Sequence, residues 1–416
     1  MKHNFRIVIG MLLFAIPLCM NAQVRPTKPK QEPKKVQVEK TEAEKLEKER
    51  AKKEEKEKKE KGRNPFNSEM LKFSGFVQGM YQANLDDEGT LTSNTFRMRR
   101  VRLSAEGTLF KGLTYKIQGD FSRSPMLVDA FVKYKVADAF AIQLGQFKTP
   151  FSLESPINPV NLEIFDYGEG IQKLVGYSDV CGVGGLGRDI GLMATGKLFP
   201  VKGEEGIKYH VVDYALGVFN GNGPTTTDNN NRKDIVGRLE VHPGLKDLTL
   251  SGSYYYGLYR NQTVEKTAIK FPEEEDVLNR FEHGNRNRWT AGLQYNDGKL
   301  VIRGEYINGL TGYSHYVKTD SGYNFNEESL TSNGYYAVAG YNFALGKDKS
   351  QKLMPVLRYE HFSQNTAIEK GGTNWYTVGV NYWPLKSVNC KLDYSLVQKE
   401  SGSNTHRVVA MVSYKF

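Results

Sequence analysis

The sequence predicts an all-β protein: a 16-stranded antiparallel transmembrane β-barrel with short periplasmic turns, long outer loops and a charged N-terminal tail, helical or disordered. Three observations lead there. In the last ten residues, Val408, Ala410, Val412, Tyr414 and Phe416 alternate with Arg407, Val409, Met411, Ser413 and Lys415. One apolar face, one mixed face and a terminal aromatic suit a closing strand whose outer side meets lipid. Beyond Ala22 no stretch approaches the 18 or more apolar residues of a membrane helix. The 24 Tyr, 21 Phe and 41 Gly instead populate short alternating segments separated by polar turns. Finally, the connections between those segments are alternately short and long, a rhythm that a soluble β-sandwich has no reason to show.

Taken in order, residues 1–22 read as a signal peptide. Lys2 and Arg6 precede an apolar run from Ile7 to Cys19, and small residues lead to cleavage after Ala22. Residues 23–64 form a Pro/Lys/Glu-rich periplasmic tail. From Glu39 to Lys61 its Glu-to-Lys pairs four apart suit a solvated helix, and Ala43, Leu46 and Ala51 are the only apolar residues there for a coiled-coil seam. Residues 65–416 are the transmembrane β-barrel. The net charge of +10 is concentrated outside it, because 65–416 carries 39 basic against 37 acidic residues. Nucleic-acid binding is thereby unsupported. Cys181 and Cys390 read as unlinked thiols, and no His or Cys spacing indicates a metal or a cofactor.

Sixteen segments alternate: 71–83, 95–108, 112–122, 127–136, 139–147, 188–198, 208–219, 234–242, 247–259, 287–296, 299–308, 333–344, 353–363, 374–383, 389–398 and 406–416. The long connections are 148–187, 260–286 and 309–332, with 220–233 intermediate. Period two turns Trp289, Leu293, Leu250, Tyr254, Tyr376 and Val378 to lipid, and Arg238, Arg288, Arg303, Arg358, Lys391, Glu305, Glu360 and Asp393 to the lumen. Such a lumen is wet, and sixteen strands enclose an aqueous channel.

The densest basic cluster is Arg97, Arg99, Arg100 and Arg102. Phe96 and Met98 share one parity and Val101 and Leu103 the other, so the apolar face survives only with a bulge near Arg99-Arg100. The bulge turns most of these guanidiniums inward, where Lys116 and Lys133 extend the stripe. Stacked arginines favour a partly dehydrated anion, and their planar fork suits phosphate oxygens. Alternatively Asp120, Asp129 and Glu106, placed inside by the same alternation, neutralise them. The long segment 148–187 is expected to fold into the lumen, stiffened by Pro150, Pro156 and Pro159. Its acids, including Glu154, Glu163, Asp166 and Glu169, would oppose anions at the constriction.

Arg99–Leu103 (RRVRL), Gly145–Glu154 (GQFKTPFSLE), Gly187–Gly191 (GRDIG) and Gly217–Gly223 (GVFNGNG) resemble, in this order, motifs of the phosphate-selective porin O and P family. The resemblance covers essentially Leu71 to Phe416. It implies an outer-membrane porin, homotrimeric, with a basic lumen, contacting membrane lipid and lipopolysaccharide and passing small anionic solutes. Arg99, Arg100, Arg102, Lys148 and Arg188 carry over as pore-lining or loop-anchoring cations, to which alternation adds Arg238 and Arg303. Two other functions remain open: a non-selective or weakly cation-selective porin, and a surface adhesion or assembly scaffold that conducts little. No catalytic motif is present: there is neither H-E-x-x-H nor G-x-S-x-G.

Overall fold

The computed structural model describes residues 69–203, 206–244, 247–260, 283–319, 322–346 and 349–416. The expected signal peptide and tail lie outside the described residues, as does most of the connection expected at 260–286. The wall begins with β1 (Lys72–Leu85), β2 (Leu91–Phe110), β3 (Leu113–Asp120), β4 (Leu127–Ala137) and β5 (Phe140–Lys148). A long inserted loop follows, with a 3-10 turn at Pro159–Asn161 and a short helix α1 (Glu169–Leu174). The wall resumes with β6 (Arg188–Gly203), β7 (Gly206–Phe219), β8 (Asp234–Val241), β9 (Leu248–Tyr256) and its continuation β10 (Leu258–Arg260). It then runs through β11 (His283–Asn296), β12 (Leu300–Thr319), β13 (Gly322–Tyr341) and its continuation β14 (Phe343–Leu345). The last four are β15 (Gln351–Ser363), β16 (Gly372–Leu385), β17 (Val388–Lys399) and β18 (Asn404–Lys415).

β9 and β10 both pair with β11, and β13 and β14 both pair with β15, so the wall is a closed antiparallel barrel of sixteen strands. The seam lies between the first and last strands, from Phe76 opposite Lys415 to Leu85 opposite His406. Gly75 and Phe416 exchange both backbone hydrogen bonds at 3.0 Å, which leaves this end of the ribbon without a free edge.

All sixteen expected segments are strands, with one substantial correction. The connection expected at 309–332 is not an irregular loop: β12 and β13 stay paired from Leu300 opposite Tyr341 out to Thr319 opposite Gly322. Each is 20 residues long, whereas about 9–11 span a bilayer, so the hairpin continues well beyond it. Between β6 and β7 strand pairing likewise runs past the expected ends, to Gly203 opposite Gly206. The bulge in β2 falls where the parity change requires it. Gln78 opposes Arg100 while Gly79 opposes Met98, so Arg99 is the extra residue.

The polarity of this molecule is inverted relative to a water-soluble domain. Phe96 is 83% exposed, and Leu293, Leu357, Tyr376, Val378 and Val412 are also exposed, while Arg288 and Arg303 are among the most completely buried side chains. Because the outer face meets hydrocarbon, Val378→Arg on β16 should destabilise the barrel by about 2–4 kcal/mol. Equilibrium urea unfolding in lipid vesicles measures this; an unchanged midpoint would place that face away from lipid.

Candidate functional site

The loop between β5 and β6 enters the barrel through a tight start. Gly145, at φ 133°, permits β5 to approach β4, since a Cβ there would lie 2.2 Å from the Ala130 carbonyl oxygen. Phe147 and Phe151 then turn inward. Ser152 takes the left-handed backbone conformation at φ 76°, and its hydroxyl donates to Glu305 on β12 at 2.9 Å while accepting from the backbone of Glu154 at 3.1 Å. Glu305 also accepts the Leu153 N–H at 2.8 Å. The S-L-E segment is therefore fixed to the opposite wall by backbone as well as side-chain bonds.

From there the loop acids meet wall guanidiniums. Glu154 is bound by Arg358 on β15 at 2.5 Å and lies 3.6 Å from Arg303 on β12, which in turn holds Glu163 at 2.5 Å. Asp166 joins both Arg99 and Arg100 on β2. Asp179 is clasped by Arg288, with Arg286 at 3.5 Å. Lys391 on β17 donates to the Leu162 and Ile164 carbonyls, and Asp393 accepts from the Phe165 N–H at 2.8 Å. Lys148 donates to the carbonyls of Ser155 and Ile157 and to the Tyr167 hydroxyl, which holds the loop against its own root. Between these anchors Leu162, Ile164, Ile171, Leu174 and Val175 pack with Phe219, Tyr255, Ile307, Tyr336 and Phe362 of the wall. Gly168 leaves room for the clamp: a Cβ there would lie 2.1 Å from Arg358 Nη2.

Burial pushes the carboxyl of Glu154 up, but the guanidiniums of Arg358 and Arg303 outweigh it and hold the group below its ordinary value. Asp166 behaves alike, with Arg100 and Arg99 overcoming its burial. At Asp179 the same contest, burial against Arg288 and Arg286, ends at about 2. Glu169 differs. It sits on α1 with Lys173 at 3.8 Å, and burial raises its carboxyl.

Packed against the wall from β7 round to β18 and tied to β2 through Asp166, the loop still leaves space along β2 to β6. Arg97, Arg99, Arg100, Arg102 and Arg123 border a cavity of about 230 Å3. Arg123 also borders a second, of about 340 Å3, with Arg188. Arg102 and Arg188 border a third, of about 240 Å3, with Lys116 and Lys148. One step further along the same face, between β5 and β6, Lys133, Lys135, Lys197 and Arg238 line a fourth of about 280 Å3. The first three share lining residues and lie side by side as one basic track. Around them eight cations (Arg97, Arg99, Arg100, Arg102, Lys116, Arg123, Lys148, Arg188) face four carboxylates: Asp120 on Arg102, Asp129 on Arg188, Asp166 on Arg99 and Arg100, and Glu106 on Lys116. Four positive charges remain in excess.

The expected site residues thus divide. Arg97, Arg99, Arg100, Arg102, Lys116, Lys148 and Arg188 cluster on the track, with Lys133 and Arg238 at its far end; Arg303 lies across the lumen under the loop. Glu154, Glu163, Asp166 and Glu169 are each paired with a cation rather than standing as free charges. Arg123 escaped the sequence reading because it lies in the turn 121–126, outside any alternating segment. It makes no hydrogen bond or ion pair among the described residues. The anchoring role of Arg286, Arg288 and Asp179 was equally invisible, since pairing across more than a hundred positions has no local pattern.

A closed sixteen-stranded barrel with a loop-narrowed, charged interior defines an outer-membrane channel for small solutes. Within that class the chain belongs to the phosphate-selective porin O and P family, whose description matches residues 71–416. The family and fold are those of channel porins, which are not enzymes. No curated protein matches the chain. Among solved structures, OprB of Pseudomonas putida superposes with a TM-score of 0.56 at 11% identity, covering 86% of this chain and 97% of its own. The outer membrane channel DcaP of Acinetobacter baumannii gives 0.54 at 13% identity, covering 83% and 97%. OmpF of Salmonella typhi, solved in complex with daunomycin, gives 0.52 at 13% identity over the same shares. At these identities the likeness is one of fold.

Because Glu154 is fully buried between Arg358 and Arg303, Glu154→Gln should destabilise the protein by about 3–5 kcal/mol and expose the 149–187 loop to protease. Glu169→Gln, in a half-exposed helical pair, should change stability by about 0.5 kcal/mol or less. Urea midpoints and limited proteolysis of the detergent-solubilised barrel compare the two. The loop should also respond to acid in one direction. A carboxyl depressed from 3.8 to about 2, as at Asp179, contributes stability that is complete above its unfolded value and is lost as pH falls through that interval. Proteolysis of the loop by an acid-active protease should therefore stay slow above about pH 4 and accelerate towards pH 2.

Proposed function

We propose that this porin passes small hydrophilic anions, phosphate among them, by passive diffusion along the basic track between the inserted loop and the β2–β6 wall. The observation that carries this is the charge imbalance across the lumen. The loop acids Glu154, Glu163 and Asp179 are bound to arginines of the far wall, so they add little field on the track side. There the cations outnumber the carboxylates. Arg97, Arg99, Arg100, Arg102, Lys116, Lys133, Lys148, Arg188 and Arg238 serve as pore-lining groups, joined by Arg123, while Arg303 anchors the loop. A guanidinium replaces part of an anion's hydration shell with directed N–H donors, which lowers the cost of entering a narrow passage. Cation preference is disfavoured by the same neutralisation of the loop acids. The working unit is a homotrimer in contact with lipid and lipopolysaccharide. Residues 1–22 direct export, and residues 23–64 remain in the periplasm.

Planar-bilayer recordings with purified protein test this. A potassium chloride gradient should give a reversal potential of anionic sign, conductance steps should come in threes, and added phosphate should reduce chloride current. Arg123→Ala, which removes a charge without unfastening the loop, should lower the anion-to-cation permeability ratio about two- to tenfold, equivalent to roughly 0.4–1.4 kcal/mol. A cationic reversal potential would reject the anion track and leave a cation-selective porin. No conductance at all would favour the scaffold function.

A further inference from the structure

One cluster of side chains at the end of the barrel bearing the short turns has ligand chemistry that the channel does not use. Asp213 on β7 lies directly opposite Glu240 on β8, and His242 follows Glu240 by two residues, immediately after the strand. The ladder continues through His242, whose N–H donates to the Val211 carbonyl at 2.8 Å, so all three side chains share the inner face. One ligand atom from each lies within 4.8 Å of the others. His242 Nδ1 is 3.2 Å from the Thr249 hydroxyl, and Nε2 is 3.9 Å from Asp213 Oδ2. If Nδ1 carries the proton and donates to Thr249, the Nε2 lone pair faces the carboxylates, the way a metal-bound imidazole is usually held. Asp213 Oδ1 is buried and has no partner among the described residues.

We propose that Asp213, Glu240 and His242 form a binding site for a divalent transition-metal ion of the Zn2+ class at the periplasmic mouth. One imidazole and two carboxylates match Zn2+, whereas Mg2+ and Ca2+ favour all-oxygen shells. Bonds of about 2.0–2.2 Å require the three donors to draw together from their present spacing, a change within reach of side-chain rotations. The local cations oppose the ion and set its competition. Lys197 holds Asp213 Oδ2 at 3.1 Å, and Arg238 approaches Glu240 at 3.4 Å. The Asp213 oxygen that faces His242 Nε2 is the one Lys197 holds, so the metal competes with Lys197 for Oδ2, while Oδ1 has no partner to lose among the described residues. Three protein ligands leave a further position open to the cavity lined by Lys133, Lys135, Lys197 and Arg238, where water or a permeating anion completes the shell. Asp138, Asp213 and Glu240 in the same lining nearly balance those four cations, so the two positive charges of the ion tip the mouth towards anions and couple metal availability to anion flux.

Zinc chloride titrated into the untagged full chain in detergent should show one saturable site by calorimetry, and magnesium chloride none. Asp213→Asn and His242→Ala should abolish that uptake, while Thr249→Val should weaken it about 10–100-fold. Heat-modifiable gel migration verifies that each variant is folded. In bilayers, zinc on the periplasmic side should raise anion preference in the wild type and leave His242→Ala unchanged. Absence of saturable uptake by the wild type, or uptake that persists undiminished in both ligand variants, overturns the site. Conductance of the zinc-free protein is judged separately, so this failure would not touch the channel itself.

Discussion

Everything in this fold follows from the demand that no backbone N–H or C=O meet hydrocarbon unpaired. A ribbon of strands satisfies it only by closing, and the exchange between Gly75 and Phe416 with the ladder beyond them is that closure. Closure then dictates side-chain chemistry. Every second residue faces lipid and is apolar; the rest face an interior too wide for wall side chains to fill. Into that space the chain sends its own loop. Polar groups that would be costly in a soluble core are here the natural lining, and the apolar core forms between the loop and the inside of the wall.

Burying a charge is tolerable only with a partner and further hydrogen bonds, and the loop supplies them in quantity. Arg303 and Arg288 would each be an unpaired cation if the loop were absent, and Arg358 would keep only Glu360 of its own strand; Glu154, Glu163 and Asp179 would each be an unpaired anion if it lay outside. The two sets become mutually necessary. This consumes acids on one side of the lumen and leaves the arginine-rich β2 wall with Asp120, Asp129 and Asp166 as its main counter-charges. A barrel whose sequence is nearly neutral is therefore strongly polarised across its diameter, and a passing ion meets the local field rather than the average.

Much of the wall was legible because lipid outside and water inside imprint a period of two, and even the bulge at Arg99 could be placed from a parity change. The β12–β13 hairpin shows where that imprint fades. Past Gly309 the hairpin outruns the roughly 9–11 residues that span a bilayer, so lipid no longer demands alternation, and a strand there reads as a loop. The inward course of the loop was foreseeable from its length, yet its fastening was not. Asp179 meets Arg288 across 109 positions, and the cluster of Asp213, Glu240 and His242 forms only when two strands align. Local pattern reports which face a residue takes, and tertiary pairing decides what it meets there.

A loop gripped by buried ion pairs at Glu154, Asp166 and Asp179, and by an apolar core between them, behaves as part of the wall rather than as a gate. Selectivity must then come from groups left unsatisfied, because a guanidinium already saturated by a carboxylate presents little net field to a solute. At an effective dielectric of about 20, a unit charge about 8 Å away contributes roughly 2 kcal/mol. Physiological salt screens over a comparable distance of about 8 Å, so only residues bordering the passage matter. That singles out Arg123, which has no ion-pair partner among the described residues, together with the surplus cation of the Arg99–Arg100–Asp166 group. Lys148, at the base of the loop, is bonded to carbonyls and a hydroxyl rather than to an acid. Under the proposed anion-track function, ion preference is thus decided by a handful of positions on β2, the 121–126 turn and the base of the loop, while most of the lumen charges serve to hold the passage open.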